Sequence, residues 1–109
     1  MSGRYILNDA GEPVEADLMT WARWFESSPD RVVARDELPN GVTVSTVFLG
    51  LDHSFGSEGP PVLWETIIFG GKHDGYMDRY RSHEAALQGH AFAVALASPR
   101  PLTDEATPS

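Results

Sequence analysis

The chain has 109 residues, of which 41% are hydrophobic and 22% are charged, and its formal net charge is −8 at pH 7. This length suits one domain and is too short for two independently stable cores. The acidic excess argues against direct nucleic-acid binding through a basic patch. The lack of cysteine excludes disulfides, thiolate metal sites and a thiol nucleophile.

The sequence contains no targeting or membrane signal that we recognise. Residues 1–4 lead into a short apolar run without the core of a signal peptide. No stretch approaches the roughly 18 apolar residues of a membrane span. We therefore expect a cytoplasmic protein that makes no contact with a membrane.

The first third of the chain predicts a short strand and a helix. Residues 4–7 are β-prone and are followed by the turn residues Asn, Asp, Gly and Pro. Asp17 is a candidate N-cap for an amphipathic helix that ends before Pro29. The spacing of apolar residues predicts that its core-facing stripe consists of Leu18, Trp21, Ala22 and Phe25. Trp24 then lies at the edge of that stripe.

Four further β-prone runs follow, at residues 31–36, 42–51, 62–69 and 76–80. The Asn40–Gly41 pair favours a hairpin turn between the first two runs because both residues tolerate a positive φ angle. The run at 42–51 is the most apolar, which indicates a central strand.

A second helix is expected after Ser82, a candidate cap, with Leu87, Ala91 and Val94 as its apolar stripe. This order of elements predicts an α+β fold, in which an antiparallel sheet of about four to five strands has two helices packed on one face. We expect residues 1–98 to form the single domain. Residues 99–109 are rich in Pro, Thr, Asp and Glu and predict a disordered tail.

The densest polar cluster follows the predicted central strand. Asp52, His53 and Ser54 precede Phe55 in a loop, and strand ends that feed loops often carry binding sites. An aromatic side chain beside polar groups suits contact with a partner. The alternative is structural, with Asp52 and Ser54 bonding backbone amides of the turn. We favour the binding interpretation for the function and leave the structural one open.

Two tryptophans are further candidates for a surface. Trp24, at the rim of the first helix, and Trp64, on a strand, are interpreted either as core residues or as parts of an apolar surface for a partner. Such a surface would also suit a second copy of the chain, so a homodimer is possible.

The sequence offers little support for catalysis. An enzyme would need His53 and Glu65 to converge in a pocket. Across the last predicted hairpin, Glu65 and Asp78 could face each other as an acid pair, but a solvated sheet face explains them equally well. His73 lies in the turn at the opposite end of the strands, so a shared two-histidine site is not expected. We expect no cofactor and no bound metal.

Several segments resemble one family of small proteins. The resemblance rests on residues 17–26 (DLMTWARWFE), 44–56 (VSTVFLGLDHSFG) and 60–66 (PPVLWET), and on residues 80–90 with their ending EAALQGH. In these segments the chain is similar to an uncharacterised family that is common in tailed bacteriophages and prophages. The resemblance implies a phage setting, with the cytoplasm of the host as the location, and it assigns no chemistry.

Three classes of function suit a phage setting. The first is a small acidic accessory protein that binds a macromolecular partner, in the first instance a host protein. The second is a minor accessory of replication or virion assembly, and the third is a reduced enzyme. We favour the first, because the negative charge would steer the chain toward a basic protein surface.

Overall fold

A computed structural model describes residues 3–28 and 31–99 of the chain, and it has the expected α+β fold. The elements in chain order are β1 (Tyr5–Leu7), β2 (Pro13–Glu15), α1 (Leu18–Ser27), β3 (Val32–Glu37), β4 (Thr43–Phe48), β5 (Trp64–Phe69), β6 (Met77–Tyr80) and α2 (His83–Ala97). The expected tail at 99–109 lies outside the described residues except for Pro99.

The main sheet is an antiparallel meander with the strand order β3-β4-β5-β6. Its four strands are those that the sequence predicts, and β4 lies inside the sheet. The short strand β1 belongs to a separate two-stranded sheet, where it pairs with β2. We did not predict β2, because its three residues begin with a proline that we assigned to the preceding turn and carry no recognisable alternation. Asn8 shapes the turn between them, since its side chain accepts hydrogen bonds from two backbone N–H groups, both at 2.9 Å.

Both helices begin and end at residues that the sequence marks. The side chains of Asp17 and Ser82 accept the backbone N–H three residues later, at 2.8 Å and 3.0 Å, as N-caps do. Ser28 and Ser98 are the C-caps, and each precedes a proline in the sequence. Helix boundaries in this chain are therefore a local property.

The predicted inner side of α1 was wrong in part. Leu18 and Ala22 are exposed, whereas Trp21, Trp24 and Phe25 are half-buried. The helix rests on the end of the main sheet through its aromatic rings, because Trp24 meets Phe48 of β4 edge-on with ring centroids 5.7 Å apart. The widest residues thus set the orientation of this helix.

The indole of Trp21 connects α1 to the residues that follow β4. Its Nε1–H donates to the carbonyl oxygen of Gly50 at 2.9 Å, and its ring stacks on Phe25 with centroids 4.9 Å apart. A Cβ at Gly50 would lie 2.7 Å from the Phe25 ring, so the close approach needs glycine. Gly50 also has a φ of +76°, which disfavours other residues.

The predicted inner stripe of α2 was wrong in part: Val94 packs against the first core cluster as expected, but the other two positions do not. Leu87 and Ala91 are exposed, and the buried positions are Ala86, His90, Ala93 and Ala97. The three small alanine side chains let α2 lie close to the sheet. At Gly89 a Cβ would collide with the Tyr80 hydroxyl, so this glycine leaves room for the Tyr80 side chain of β6.

The core between the helices and the sheet consists of two apolar clusters. The first contains Val42, Val44, Ile68, Ala93 and Ala97, and the second contains Phe48, Leu63, Trp64 and Ala86. A polar layer made of Thr46, Thr66 and His90 is buried between them, and the two threonines are partners in the strand register. The covered face of the sheet is therefore apolar at both ends and polar in the middle.

Candidate functional site

The loop between β4 and β5 is held in shape by Asp52. One of its carboxylate oxygens accepts the backbone N–H of Ser54 at 2.8 Å and that of Val62 at 2.9 Å. These bonds join the beginning of the loop to its end. Partial burial works against the charged form, but the two N–H donors outweigh it and hold the pKa of Asp52 below its ordinary value. Asp52 thus has a structural role.

A second set of hydrogen bonds holds the tip of the loop. The guanidinium of Arg81, just before α2, donates to the carbonyl oxygen of Glu58 at 2.6 Å and to the Ser57 hydroxyl at 2.8 Å. The backbone N–H of Ser57 in turn donates to the carbonyl oxygen of Ser54 at 3.0 Å. The loop is therefore tied to its own strands and to the entrance of α2.

Phe55 projects from this fastened loop. Its side chain is 80% exposed, and it is the one non-glycine residue with a positive φ, +51°, among the residues that the structure describes. The left-handed region costs a non-glycine residue conformational energy, and such residues concentrate at functional sites. The sequence did not predict this conformation, because a positive φ would be expected at the neighbouring Gly56 and not at a phenylalanine.

His53 lies beside Phe55. The two ring centroids are 5.4 Å apart in an edge-on arrangement. Nδ1 of His53 lies 2.8 Å from the carbonyl oxygen of Leu51, and because a carbonyl only accepts, Nδ1–H is the donor. In the neutral ring Nε2 is then a hydrogen-bond acceptor, next to an exposed aromatic ring. The loop thus presents the exposed ring of Phe55 and the acceptor Nε2 of His53 on a backbone that the hydrogen bonds of Asp52 and Arg81 hold in place.

Neither tryptophan belongs to this surface. Trp64 is 2% exposed and packs against Phe48 with ring centroids 5.6 Å apart, so our expectation that it contributes to a binding surface is corrected. Trp24 is half-buried against the same phenylalanine from the other side. Both rings serve the core, because β5 presents Trp64 to the face that the helices cover.

The pairings expected for an enzyme are not those of the structure. Glu65 faces Arg79, not Asp78, and its carboxylate accepts a hydrogen bond from that guanidinium at 2.9 Å. His53 is bonded to the Leu51 carbonyl instead of a carboxylate. Within residues 3–28 and 31–99, no group of three or more His, Cys, Asp or Glu side chains could hold a metal ion.

Sequence reasoning missed a chain of polar side chains in the core. His90 places Nε2 2.7 Å from the carboxylate of Asp36 and Nδ1 2.7 Å from the Thr46 hydroxyl, which in turn lies 2.5 Å from that of Thr66. In neutral His90, Nε2–H donates to the carboxylate and Nδ1 accepts from Thr46. In the protonated ring Nδ1–H donates, and each threonine hydroxyl can rotate to suit.

The order carboxylate, imidazole, hydroxyl is that of a nucleophilic triad. A nucleophile must reach its substrate, however, and both threonines are fully buried. The chain of bonds therefore satisfies polar groups within the core. Its sequence signal was weak: one histidine in an alanine-rich helix, and two threonines at alternate positions of strands.

Comparisons with protein-family models, with curated proteins and with solved structures found no match. None of the helices in the described part of the chain is long and apolar enough to cross a membrane.

Proposed function

We propose that this chain is a small binding protein that recognises a protein partner through the loop 51–56, with Phe55 as the anchor and His53 beside it. The observation that carries the proposal is the exposure of a phenylalanine in a left-handed conformation on a loop fastened by Asp52 and Arg81. A loop whose backbone is already held by hydrogen bonds loses less conformational freedom on binding than a free one. Aromatic anchors of this kind dominate the energy of many interfaces.

The partner that this surface suits has an apolar pocket for Phe55 and a hydrogen-bond donor for Nε2 of His53. The net charge of −8 favours a partner with a basic surface around that pocket, because opposite charges accelerate encounter. With the resemblance to phage proteins, the proposal is that the partner is a host protein and that the two meet in the host cytoplasm. The proposal also covers an accessory role in replication or virion assembly that depends on the same contact.

Affinity capture from phage-infected host cells tests the proposal. The wild-type chain is expected to retain one specific protein, which is then purified and titrated against the chain. Phe55→Ala is expected to weaken this binding at least tenfold, since truncated anchors commonly cost about 2 kcal/mol or more. Thermal unfolding should change little, because Phe55 is exposed.

Phe92 provides a matched control, since it is an exposed phenylalanine on α2. Phe92→Ala should leave the binding unchanged. Equal affinities of the Phe55→Ala and wild-type chains would contradict the proposal. Turnover of a small molecule that is lost in His53→Ala would replace the binding function with an enzymatic one.

A further inference from the structure

The face of the sheet opposite the helices has an unusual composition. Alternation along the strands places on it Val32, Arg35, Glu37, Thr43, Ser45, Val47, Glu65, Ile67, Phe69, Met77 and Arg79. Three of its apolar residues, Val32, Phe69 and Met77, are each about half exposed, at 53%, 51% and 49%. An uncovered face of a two-layer domain is usually polar, so this apolar content calls for a physical reason.

The apolar side chains form one diagonal stripe across this open face. The register pairs Val32 with Val47 on one side and Ile67 with Met77 on the other, and Phe69 follows Ile67 on the same strand. Such a stripe has the continuity of an interface core.

Two ion pairs lie at the other two corners of the face. Arg35 pairs with Glu37 on β3, and Arg79 pairs with Glu65 across β5 and β6, each at 2.9 Å. An apolar centre with charged corners is the arrangement of a protein interface with its polar rim.

The charge of this face points to a second copy of the same chain as its occupant. Its two arginines and two glutamates cancel, whereas the whole chain has a net charge of −8. The excess of negative charge therefore lies outside this face, so two copies that meet on it avoid the repulsion that the net charge causes on average elsewhere. A two-fold axis that lies in the interface and crosses the stripe turns each stripe onto the other.

The size of the face sets the strength of such a dimer. Strands of six residues, spaced about 4.8 Å apart and rising about 3.3 Å per residue, give four strands a face of about 400 Å² in projection. Closing two pleated faces buries on the order of 1,000 Å² of accessible surface, near the lower limit of about 1,200 Å² for stable complexes. Interfaces of this size are typical of weak, reversible association.

We propose that the open face of the sheet is the interface of a homodimer in which two sheets pack face to face. Sheets that pack in this way lie about 10 Å apart with their strands inclined by about 30°. The loop 51–56 takes no part in the stripe, so dimer formation and partner binding are separable.

Sedimentation equilibrium of the full-length chain over a range of concentrations tests the dimer. The wild type is expected to shift from the mass of one chain to that of two as its concentration rises. Phe69→Glu places like charges in the stripe and is expected to weaken association at least tenfold. Met77→Lys, at a second position of the stripe, should do the same and guards against a folding defect in the first variant.

Phe92→Glu is the matched control, since Phe92 is 58% exposed but lies on α2. It should dimerise like the wild type, as should Phe55→Glu. A wild type that remains monomeric at every concentration overturns the proposal, as does a dimer that Phe92→Glu dissociates and Phe69→Glu does not. A monomer that loses its captured partner on Phe69→Glu would assign the open face to another protein and equally overturn the homodimer.

Discussion

The two faces of the main sheet depart from the usual distribution of polar and apolar residues at their centres. The face under the helices has Thr46 and Thr66 at its centre, fully buried and bonded to His90. The outer face has Ile67 at its centre, with Phe69 and Met77 half exposed around it. Polar groups can be buried at low cost when each finds a partner, whereas exposed apolar groups gain nothing until something covers them. The buried threonine hydroxyls of the inner face find their partners within one chain, whereas the proposed dimer would cover the exposed apolar groups of the outer face.

The largest expected difference in stability between the two faces concerns two neighbouring isoleucines of β5. Ile68 is fully buried under α2, and Ile67 lies on the outer face. Ile68→Ala is expected to destabilise the protein by about 2–5 kcal/mol, because it leaves a cavity in a packed cluster. Ile67→Ala should cost about 1 kcal/mol in the monomer, since its environment is already open to solvent.

Denaturant unfolding at low and high protein concentration measures both losses. Only the loss in Ile67→Ala should grow with concentration, because a dimer adds burial at that position. Equal losses for the two variants at low concentration would contradict the assignment of the faces.

Asp52 provides a reference outside both faces. Asp52→Ala is expected to cost about 1.5–3 kcal/mol, since two backbone N–H groups lose a charged acceptor. Asp52→Asn keeps one acceptor oxygen and should cost less. Guanidinium unfolding of the three proteins checks this order, and no loss in Asp52→Ala would show that the loop does not depend on its carboxylate.

The same carboxylate predicts a pH dependence. Its pKa in the folded protein is below the ordinary value, so the unfolded chain takes up the proton first as the pH falls. The stability difference between wild type and Asp52→Asn should therefore be constant above about pH 5 and shrink as the pH falls through and below about 3.9, the ordinary aspartate pKa. Thermal unfolding of both proteins across this range measures the difference, and an increase toward acid would contradict the assigned hydrogen bonds.

The polar layer predicts losses that are not additive. Thr46→Val should cost about 1–3 kcal/mol, because Nδ1 of His90 and the Thr66 hydroxyl both lose a partner inside the core. In the double variant Thr46→Val/Thr66→Val one of these orphaned groups is gone, so its loss should be smaller than the sum of the single losses. Additive losses in a double-mutant cycle would mean that the two hydroxyls act independently.

The smallest effect is expected at a charged corner of the outer face. Glu37→Gln removes the partner of Arg35 in an exposed ion pair and should cost about 0–1 kcal/mol in the monomer. The cost should fall further in high salt. A much larger loss at low protein concentration would show that this corner is covered within the single chain, which would contradict an open face.

The sequence predicted the local features of the fold well. The caps at Asp17 and Ser82, the hairpin turn at Asn40–Gly41 and the four strands of the meander are specified by residues close to each other in the chain. The order of elements then left few antiparallel arrangements. Within the loop, His53 and Phe55 were identified as candidates, and Asp52 bonds backbone amides as the structural alternative predicted. The sequence did not show that one of these amides, that of Val62, lies at the far end of the loop.

Predictions that depended on which side of an element meets the sheet were less accurate. Both helical stripes were assigned from hydrophobicity, which placed Leu87 inside and did not include His90. The volume available under α2 decided otherwise, because alanines allow a close approach and Asp36 supplies a partner for the imidazole. Trp64 was a candidate for the surface for the same reason, since strand alternation does not say which face is covered.

The sequence by itself determined where this chain turns, caps its helices and alternates its strands, because those choices depend on backbone conformations within a few residues. Only the tertiary structure decided which face became the core, because burial depends on volumes and partners contributed by distant segments. Thr46, Thr66 and His90 are polar residues that the fold buries. Their pairing could not be recognised from the sequence, because 20 and 44 residues separate Thr46 from its two partners. The apolar residues excluded from that core remain on the outer face, where a second chain can cover them.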